Sequence, residues 1–187
     1  MSFGDVQKAG NTWAATVAKL PWAASTKLHV VGDGATWIAE QARQCLGAKD
    51  YLVDFYHVCD YLAAASPKAA TSPKWLDTQK RRLKSNRPDK VIRSLEPYVE
   101  AEGIPQGETP VRNAMRYLQN RIEQLDYRSA IENGLPTGSG MIGSAHRHVL
   151  QDRLKIAGAW WTEQNARNMA ALRVARANGE EALHWRN

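Results

Sequence analysis

The sequence predicts an α/β fold that is mostly helical, with two parallel strands in its first third. Two short runs rich in β-branched and aromatic residues, 27–31 and 51–55, are joined by a stretch with helical spacing of its apolar residues. Every periodic segment after residue 65 again has apolar residues at three- and four-residue steps. We therefore expect a β-α-β-α unit followed by an all-helical second half.

The elements of the first part begin or end at turn residues. In chain order they are a helix over 5–20, a strand over 27–31, a helix over 35–46, a strand over 51–55 and a helix over 57–65. Pro21 closes the first helix, and Gly47 suits the position just beyond the end of the second. The glycines that flank Asp33 form the turn after the first strand.

Five further helices are predicted after Ser66 and Pro67, each starting near Ser, Thr or Pro. Their spans are 73–84, 88–102, 109–131, 139–156 and 162–178. A parallel sheet of two strands is too small to stand alone, since both of its faces need cover. Either these helices supply that cover or further strands are missing.

Composition disfavours secretion, membrane insertion and redox chemistry. No apolar run approaches the 18 residues of a membrane span, and the first residues lack the pattern of a signal peptide. We predict a cytoplasmic protein. The two cysteines, Cys45 and Cys59, have no CxxC spacing and are predicted to be buried free thiols.

Positive charge is concentrated between residues 68 and 93, which we call the basic segment. It carries a balance of +7, against +6 for the whole chain, so the remainder sums to −1. Such a block suits a phosphate backbone, because neutralising phosphates releases condensed counterions. A solvated helix face has the same composition, and both interpretations stay open. The candidates for DNA contact in this segment are Lys80, Arg81, Arg82, Lys84 and Arg87.

Two carboxylates follow the two predicted strands. Asp33 stands between glycines just beyond the first strand, where ligands and metals gather in α/β sheets. It is either a metal ligand or a cap of the following helix. Asp54 ends the second strand, and His57 follows three residues later. This pair either positions a scissile phosphate or a metal-bound water, or serves as a hydrogen-bonded structural unit.

A glycine-rich stretch opens the fourth of the later helices. It reads LPTGSGMIGSAHRHV and is followed by QDRLK, and a helix that starts there offers free N–H groups and one cationic face to DNA. The candidate contacts on it are His146, Arg147, Arg153 and Lys155. In the GAWWTE motif that follows, Thr162 is placed to cap the last helix, and at least one Trp is expected in the core.

These motifs together carry a family resemblance. The strings VVGDGATWI, DFYHVCDYL and GSGMIGSAHRHVLQDRLKIAGAWW, in that order and spacing, resemble the C-terminal part of DDE-type insertion-sequence transposases of the Kra type, which are related to the Mutator-like group. The resemblance extends over nearly the whole chain. The resemblance implies a ribonuclease H-like core with a helical insertion, and three acids that hold two divalent metals, Mg²⁺ or Mn²⁺, for cleavage and joining of DNA strands.

The resemblance also assigns regions and roles. It makes 1–65 part of the ribonuclease H-like core, 66–132 a basic helical insertion and 133–187 the helices that return to the core. Asp33 matches the second acid of the triad and is the implied metal ligand. Asp54 and His57 match the Asp-x-x-His signature and complete the implied catalytic set. The implied partners are DNA and a second copy of the chain.

Two departures from the family pattern predict an inactive fragment. The first acid of the triad belongs to an early strand that precedes the matched region. The third is a Glu in the pattern Gly-Ser-Gly-x-x-Glu, and Gly143 occupies its position here. Asp152 is no replacement, because nine residues at about 100° each would set it on the opposite helix face. We therefore expect weak metal binding or none, and little catalysis.

Two other functional classes compete with this interpretation. One is a helical interaction module that oligomerises through apolar faces and does not bind DNA. Only a DNA-binding protein predicts an affinity that falls steeply with salt. The other is a phosphate- or nucleotide-binding α/β enzyme built on Gly32-Asp33-Gly34, which the absence of GxGxxG and GxxxxGK[ST] motifs after a strand disfavours.

Overall fold

The structure, a computed structural model, describes residues 5–21, 23 and 26–180. Within these ranges the chain is mostly helical and has one sheet of two parallel strands, which confirms the predicted class at that level. The described residues divide into two compact units: unit 1 comprises 5–8 and 139–180, and unit 2 comprises the described residues of 9–138. No helix of the described residues is long and apolar enough to cross a membrane.

The first part of the chain follows the predicted order of elements. They are α1 Val6–Val17, β1 Val30–Gly32, α2 Thr36–Leu46, β2 Tyr51–Val53 and α3 Phe55–Ala69. Gly47 ends α2 in the left-handed conformation, with its N–H donating to the carbonyl of Arg43 at 3.2 Å, as the sequence predicts. The strands pair in parallel, with Val30 opposite Tyr51 and Gly32 opposite Val53.

Helix α3 is longer than predicted at both ends. It begins at Phe55 and not at residue 57, because the Asp54 side chain caps it. The second strand therefore ends at Val53, before the predicted limit. The helix also continues through Pro67 to Ala69, so the predicted break at Ser66 and Pro67 is wrong. A proline costs a helix one hydrogen bond, and here that loss falls in the final turn.

The remaining helices of unit 2 surround α3. They are α4 Trp75–Lys84, α5 Pro88–Leu95, α6 Pro110–Gln119 and α7 Tyr127–Glu132. Helices α3 and α6 share the most extensive packing, and fully buried side chains such as Leu62, Leu83 and Leu118 form the core between the helices. Cys59 is buried in this core, as predicted, and burial raises the pKa of its thiol to about 11. Cys45 is only half-buried.

Two predicted helices are interrupted. The helix predicted over 88–102 stops at Leu95 and continues as one 3₁₀ turn, Glu96–Tyr98, because Pro97 has no N–H to extend the α-helical ladder. The helix predicted over 109–131 is divided into α6, a 3₁₀ turn at Ile122–Gln124 and α7. Asp126 starts α7 anew by accepting a hydrogen bond from the Ser129 N–H at 3.1 Å.

Unit 1 contains the glycine-rich motif from Ser139 onward and the last helix. Its elements are α8 Gly140–Ala145, a π-helix at His146–Gln151, α9 Asp152–Leu154 and α10 Glu163–Ala177. Thr162 caps α10 by accepting from the Asn165 N–H at 3.2 Å, as predicted. A π-helix turns less per residue than an α-helix. The angular argument that separates Asp152 from Gly143 by half a turn is therefore wrong for this segment.

A buried glutamate ties the start of α6 to α3. The Glu100 side chain is 4% exposed, accepts from the backbone N–H groups of Val111 at 3.0 Å and Arg112 at 2.8 Å, and pairs with Lys68 at 3.2 Å. Burial by itself would raise its pKa, but the two N–H donors and the ammonium group lower the pKa of Glu100 to about 2. Glu100 therefore carries its charge in the folded protein down to strongly acidic pH.

Glu100→Gln is expected to lower the free energy of unfolding by about 2 kcal/mol at neutral pH, because a charge-assisted acceptor is lost. The pKa of Glu100 is depressed on folding, so its stabilisation is full above its ordinary pKa of 4.5 and is lost as pH falls toward about 2. Urea denaturation across this pH range should show the difference between parent and variant shrinking. Glu102→Gln, at an exposed position, is the control and should change stability little.

Candidate functional site

The two predicted aspartates lie at the same edge of the sheet. Gly32 and Val53 are paired in register, so Asp33 and Asp54 are the next residues at the carboxyl ends of parallel neighbours. The Asp54 N–H donates to the Gly32 carbonyl at 2.6 Å, which holds the two strand ends together. The predicted common edge is confirmed, and it creates the place where ligands gather in α/β sheets.

The two carboxylates have different surroundings. Asp33 is exposed, and one of its oxygens accepts from the Ala35 N–H at 3.0 Å, which fixes the turn after β1. No side chain caps α2, so the capping role considered for Asp33 is not observed. Asp54 is 7% exposed, and its Oδ1 accepts from the N–H groups of Tyr56 at 2.7 Å and His57 at 3.3 Å. Asp54 therefore caps the N-terminus of α3.

His57 lies in an aromatic cluster beside this edge. It is half-buried, and its ring stands edge-on to Tyr61 and Tyr117, with ring centroids 5.6 and 5.7 Å away. The two tyrosines are stacked on each other at 4.2 Å. The imidazole therefore contacts Tyr117, whose hydroxyl is hydrogen-bonded to the turn at Asp33.

Two residues of the α6 region clamp that turn, and the sequence patterns do not single them out. The Tyr117 hydroxyl donates to the Asp33 carbonyl at 2.6 Å, and Arg121 Nε donates to the Gly34 carbonyl at 2.9 Å. The Arg121 guanidinium also lies 4.1 Å from the centre of the Tyr117 ring. Burial raises the pKa of Tyr117, which keeps its hydroxyl protonated as a donor. The amphipathic pattern of α6 predicts only that Tyr117 is buried.

The start of the glycine-rich motif reaches the other aspartate. The Phe55 N–H donates to the Thr137 carbonyl at 2.9 Å. A Cβ atom added to Gly138 would lie 2.8 Å from the Tyr56 ring and 3.4 Å from Asp54 Oδ1. A side chain at position 138 would therefore require the exposed Tyr56 ring to shift. Three separate motifs of the sequence therefore converge at the end of the sheet.

The predicted DNA contacts of the basic segment lie mainly on the outer face of α4 and the turn after it. Trp75, Gln79 and Leu83 form the buried face of α4 at four-residue steps. The predicted contacts divide into Arg81, Lys84 and Arg87, which are exposed, and Lys80 and Arg82, which are half-buried. The cationic face is therefore accessible along the helix.

Arg82 links α4 to α5, because its guanidinium donates to Gln79 Oε1 at 3.1 Å and to the Lys90 carbonyl at 3.2 Å. Lys84 Nζ lies 4.9 Å from the centre of the Phe55 ring, and Phe55 directly follows Asp54. One end of the basic face thus lies next to the aspartate edge. This proximity is a result of tertiary packing that sequence spacing does not reveal.

The predicted contacts in unit 1 are exposed. His146, Arg147, Arg153 and Lys155 all lie on or next to the helical run that starts at Gly140. The ring nitrogen Nδ1 of His146 is 2.8 Å from Gln151 Nε2. Gly143, at the position where the family pattern has Glu, is exposed, and a Cβ there would meet no atom within 4 Å. A side chain could therefore be added at this position without a clash.

A pair of divalent metals does not fit the residues that the structure describes. Mg²⁺ and Mn²⁺ are held by clustered oxygen ligands, chiefly carboxylates. Among residues 5–21, 23 and 26–180, no group of three or more His, Cys, Asp and Glu side chains is arranged to hold a metal ion. The Oδ1 atom of Asp54 is moreover occupied by two backbone donors. No catalytic step through a metal follows from this arrangement.

Comparison with known proteins places the chain among uncharacterised relatives. The model of UPF0236, an uncharacterised protein family, matches residues 20–186. Three curated UPF0236 proteins of Caldanaerobacter subterraneus subsp. tengcongensis are 26%, 27% and 26% identical over 154 residues, or 82% of this chain. The chain spans about a third of their length, 30% to 31%.

The names of these relatives carry one further fact. The name of one joins four gene designations, and that of another joins eleven, all from the same strain. No solved structure matches the chain.

Proposed function

The chain belongs to the UPF0236 family, and we propose that it is the DNA-binding C-terminal part of a DDE-type transposase of the insertion-sequence kind. In this proposal the β1-α2-β2-α3 unit is a portion of a ribonuclease H-like core, and the helices after α3 are its insertion. Strand cleavage and joining belong to the longer protein. The 187-residue chain binds DNA and by itself performs little or no catalysis.

The convergence of the motifs at one sheet edge is the observation that carries this proposal. Asp33 and Asp54 come from strands that are 21 positions apart in sequence yet adjacent in register. Thr137 and Gly138, from the third motif, pack on the Asp54 end. The meeting of Asp33 and Asp54 follows from the parallel pairing of their strands, so the independent support comes from the third motif, which reaches the same edge from a distant part of the sequence.

The charge distribution supports DNA as the partner. The exposed cations of α4 and the following turn extend from the aspartate edge, where Lys84 packs on Phe55. Phosphates bound along this face would bring a DNA strand toward Asp33. A protein that cleaves and joins DNA strands needs cations next to its site, because contacts with the DNA backbone set the register of the duplex on the protein.

The multiplicity of gene designations among the relatives gives independent support. A single protein encoded at many places in one genome is what an element that copies itself leaves behind. Housekeeping enzymes and interaction modules have no comparable reason to be encoded at so many places in one genome. The gene multiplicity is a property of the relatives, and it bears on this chain because the chain belongs to the same family.

Reversal of the exposed charges tests the proposal. Arg81, Lys84 and Arg87 are changed together to Glu, and Arg82 is kept because its hydrogen bonds stabilise the packing of α4 and α5. Binding to a fluorescein-labelled 30-base-pair duplex of arbitrary sequence is followed by anisotropy in 100 mM salt. We expect at least a tenfold loss of affinity, because three phosphate contacts become repulsive.

A control variant removes the same charge elsewhere. Lys19, Arg43 and Lys49 are also exposed and lie outside the basic segment, and changing them to Glu gives the same net charge. This control should retain most of the affinity, and thermal melting should show that both triple variants fold. A parent chain that does not bind the duplex would instead favour the interaction module without DNA binding. Equal losses in the two variants would show that only net charge matters.

A further inference from the structure

A cavity of about 290 Å³ lies beside the Asp33 turn, entirely within unit 2. Its walls come from α3, from α6, from the residues that follow α6 and from Gln106, which precedes α6. The side chains that shape it are Tyr61, Asn113, Arg116, Tyr117, Asn120 and Arg121. The α6 positions recur at three- and four-residue steps, so one face of that helix turns its amides and guanidinium toward the cavity.

The lining is cationic and amide-rich. It contains two guanidinium groups and no carboxylate. Arg116 and Asn120 are exposed, and Asn113 is half-buried. Arginine offers planar, forked donors that match phosphate oxygens, while asparagine presents both a donor and an acceptor to the edge of a base. An anion that also carries hydrogen-bonding groups is the ligand with complementary chemistry.

Arg121 is held in a fixed orientation before any ligand arrives. Its guanidinium lies 4.1 Å from the centre of the Tyr117 ring, and that ring is stacked on Tyr61 at 4.2 Å with an interplanar angle of 20°. Its Nε donates to the Gly34 carbonyl at 2.9 Å. The Tyr117 ring therefore contacts both the Tyr61 ring and the Arg121 guanidinium. Guanidinium planes, like aromatic rings, stack on nucleobases that are not paired.

The size and position of the cavity further limit which ligands it can bind. A cavity of about 290 Å³ has the size of a single nucleotide and is too small to enclose a segment of duplex. Tyr117 donates to the carbonyl of Asp33 itself, so the cavity lies next to the aspartate edge. A nucleotide bound there would belong to the same DNA that the basic segment holds.

We propose that this cavity binds one unpaired nucleotide of a DNA strand, with its phosphate at the guanidinium groups of Arg116 and Arg121 and its base edge at Asn120. Asn113 is engaged within the protein, because its Nδ2 donates to the Gln106 carbonyl at 2.7 Å and its Oδ1 accepts from Arg116 at 3.2 Å. The inference rests on the proposed function, because it takes DNA as the ligand. It goes further in assigning a site that recognises unpaired DNA, separate from the duplex-binding face of α4. No chemical step at the nucleotide is implied.

Single-stranded DNA binding by the full chain tests this assignment. The probe is a 12-nucleotide oligothymidylate labelled with fluorescein, and the variant is Arg116→Ala with Asn120→Ala, both at exposed positions. We expect its affinity for the oligonucleotide to fall about tenfold, within the range found for loss of contacts to one base. Its affinity for the 30-base-pair duplex should change less than twofold, because the basic segment is intact.

A matched control and a competition experiment complete the test. Arg128→Ala with Asn133→Ala also removes one guanidinium and one amide, neither of which lines the cavity, and should leave oligonucleotide binding unchanged. Thymidine monophosphate should displace the oligonucleotide at lower concentration than inorganic phosphate or thymidine does. Unchanged binding by the cavity variant would overturn the assignment, and equal competition by inorganic phosphate would reduce the site to a simple anion site.

The outcomes separate this inference from the proposed function. If the cavity variant binds the oligonucleotide like the parent while the charge-reversal variant loses the duplex, the cavity assignment fails and DNA binding stands. If the parent binds neither probe, the proposed function fails as well. Arg121→Lys serves as a second variant, since it keeps the charge and removes the stacking plane. It should weaken oligonucleotide binding without affecting the duplex.

Discussion

Gly34→Ala is expected to lower the free energy of unfolding by about 4 kcal/mol. Gly34 has a φ of +83°, a conformation that costs an L-residue about 1 to 2 kcal/mol. A Cβ at this position would also collide with the Tyr117 hydroxyl and lie 2.6 Å from Arg121 Nε. Both side chains would have to withdraw, losing one neutral and one charged hydrogen bond worth about 1 and 2 kcal/mol.

Gly47→Ala is the matched control for this substitution. Gly47 also has a positive φ, of +65°, but a Cβ there would meet no atom within 4 Å. Its replacement should cost only the conformational part, about 1 to 2 kcal/mol. Urea denaturation of both variants separates backbone strain from the clash. If the two substitutions cost the same, Tyr117 and Arg121 do not clamp the Asp33 turn, and the site described here has the wrong geometry.

The sheet edge with its two aspartates could be predicted from sequence because every determinant is local. β-branched runs define the strands, the glycines on both sides of Asp33 define the turn, and the 19 residues between Val31 and Tyr51 suffice for one crossover helix. Parallel strands in one such unit must place their carboxyl ends together. The position of both carboxylates follows from this rule alone.

The surroundings of that edge could not be predicted, because they depend on distant partners. Tyr117 and Arg121 reach the turn from 84 and 87 positions further along the chain. No motif marks them, and the helical pattern of α6 says only which face is buried. The contact of Lys84 with Phe55 has the same origin. Which basic residues lie near the site is decided by how α4 packs on α3.

Element ends were mispredicted where a side chain or one missing hydrogen bond shifts a boundary. The sequence pattern places Asp54 at a strand end, yet its capping bonds to Tyr56 and His57 start α3 at once. The pattern also predicts a break at Pro67, although a helix tolerates the loss of one bond in its last turn. The π-helix at His146–Gln151 leaves no signature in apolar spacing, since its irregularity lies in the backbone.

Binding of duplex DNA is expected to depend steeply on salt. Six cations of the basic segment are exposed and not paired with Glu100: Lys74, Arg81, Lys84, Arg87, Lys90 and Arg93. Each phosphate contact contributes a slope of about −0.9 to the log–log plot of affinity against salt. If all six contact phosphates, the slope is about −5.4, and the affinity falls about 10³-fold between 50 and 200 mM salt. An apolar interaction module would show no such decline.

The charge-reversal variant should change this slope as well as the affinity. Replacing Arg81, Lys84 and Arg87 by Glu removes three contacts, which flattens the slope by about 2.7 and leaves about a 40-fold decline over the same salt range. The variant with Lys19, Arg43 and Lys49 replaced should keep the parent slope, because those residues lie outside the basic segment. Anisotropy titrations at four or more salt concentrations measure all three slopes. A weaker variant with the parent slope would mean that these three residues act through the overall charge of the protein and do not contact phosphates, and the DNA-binding face would then have to lie elsewhere.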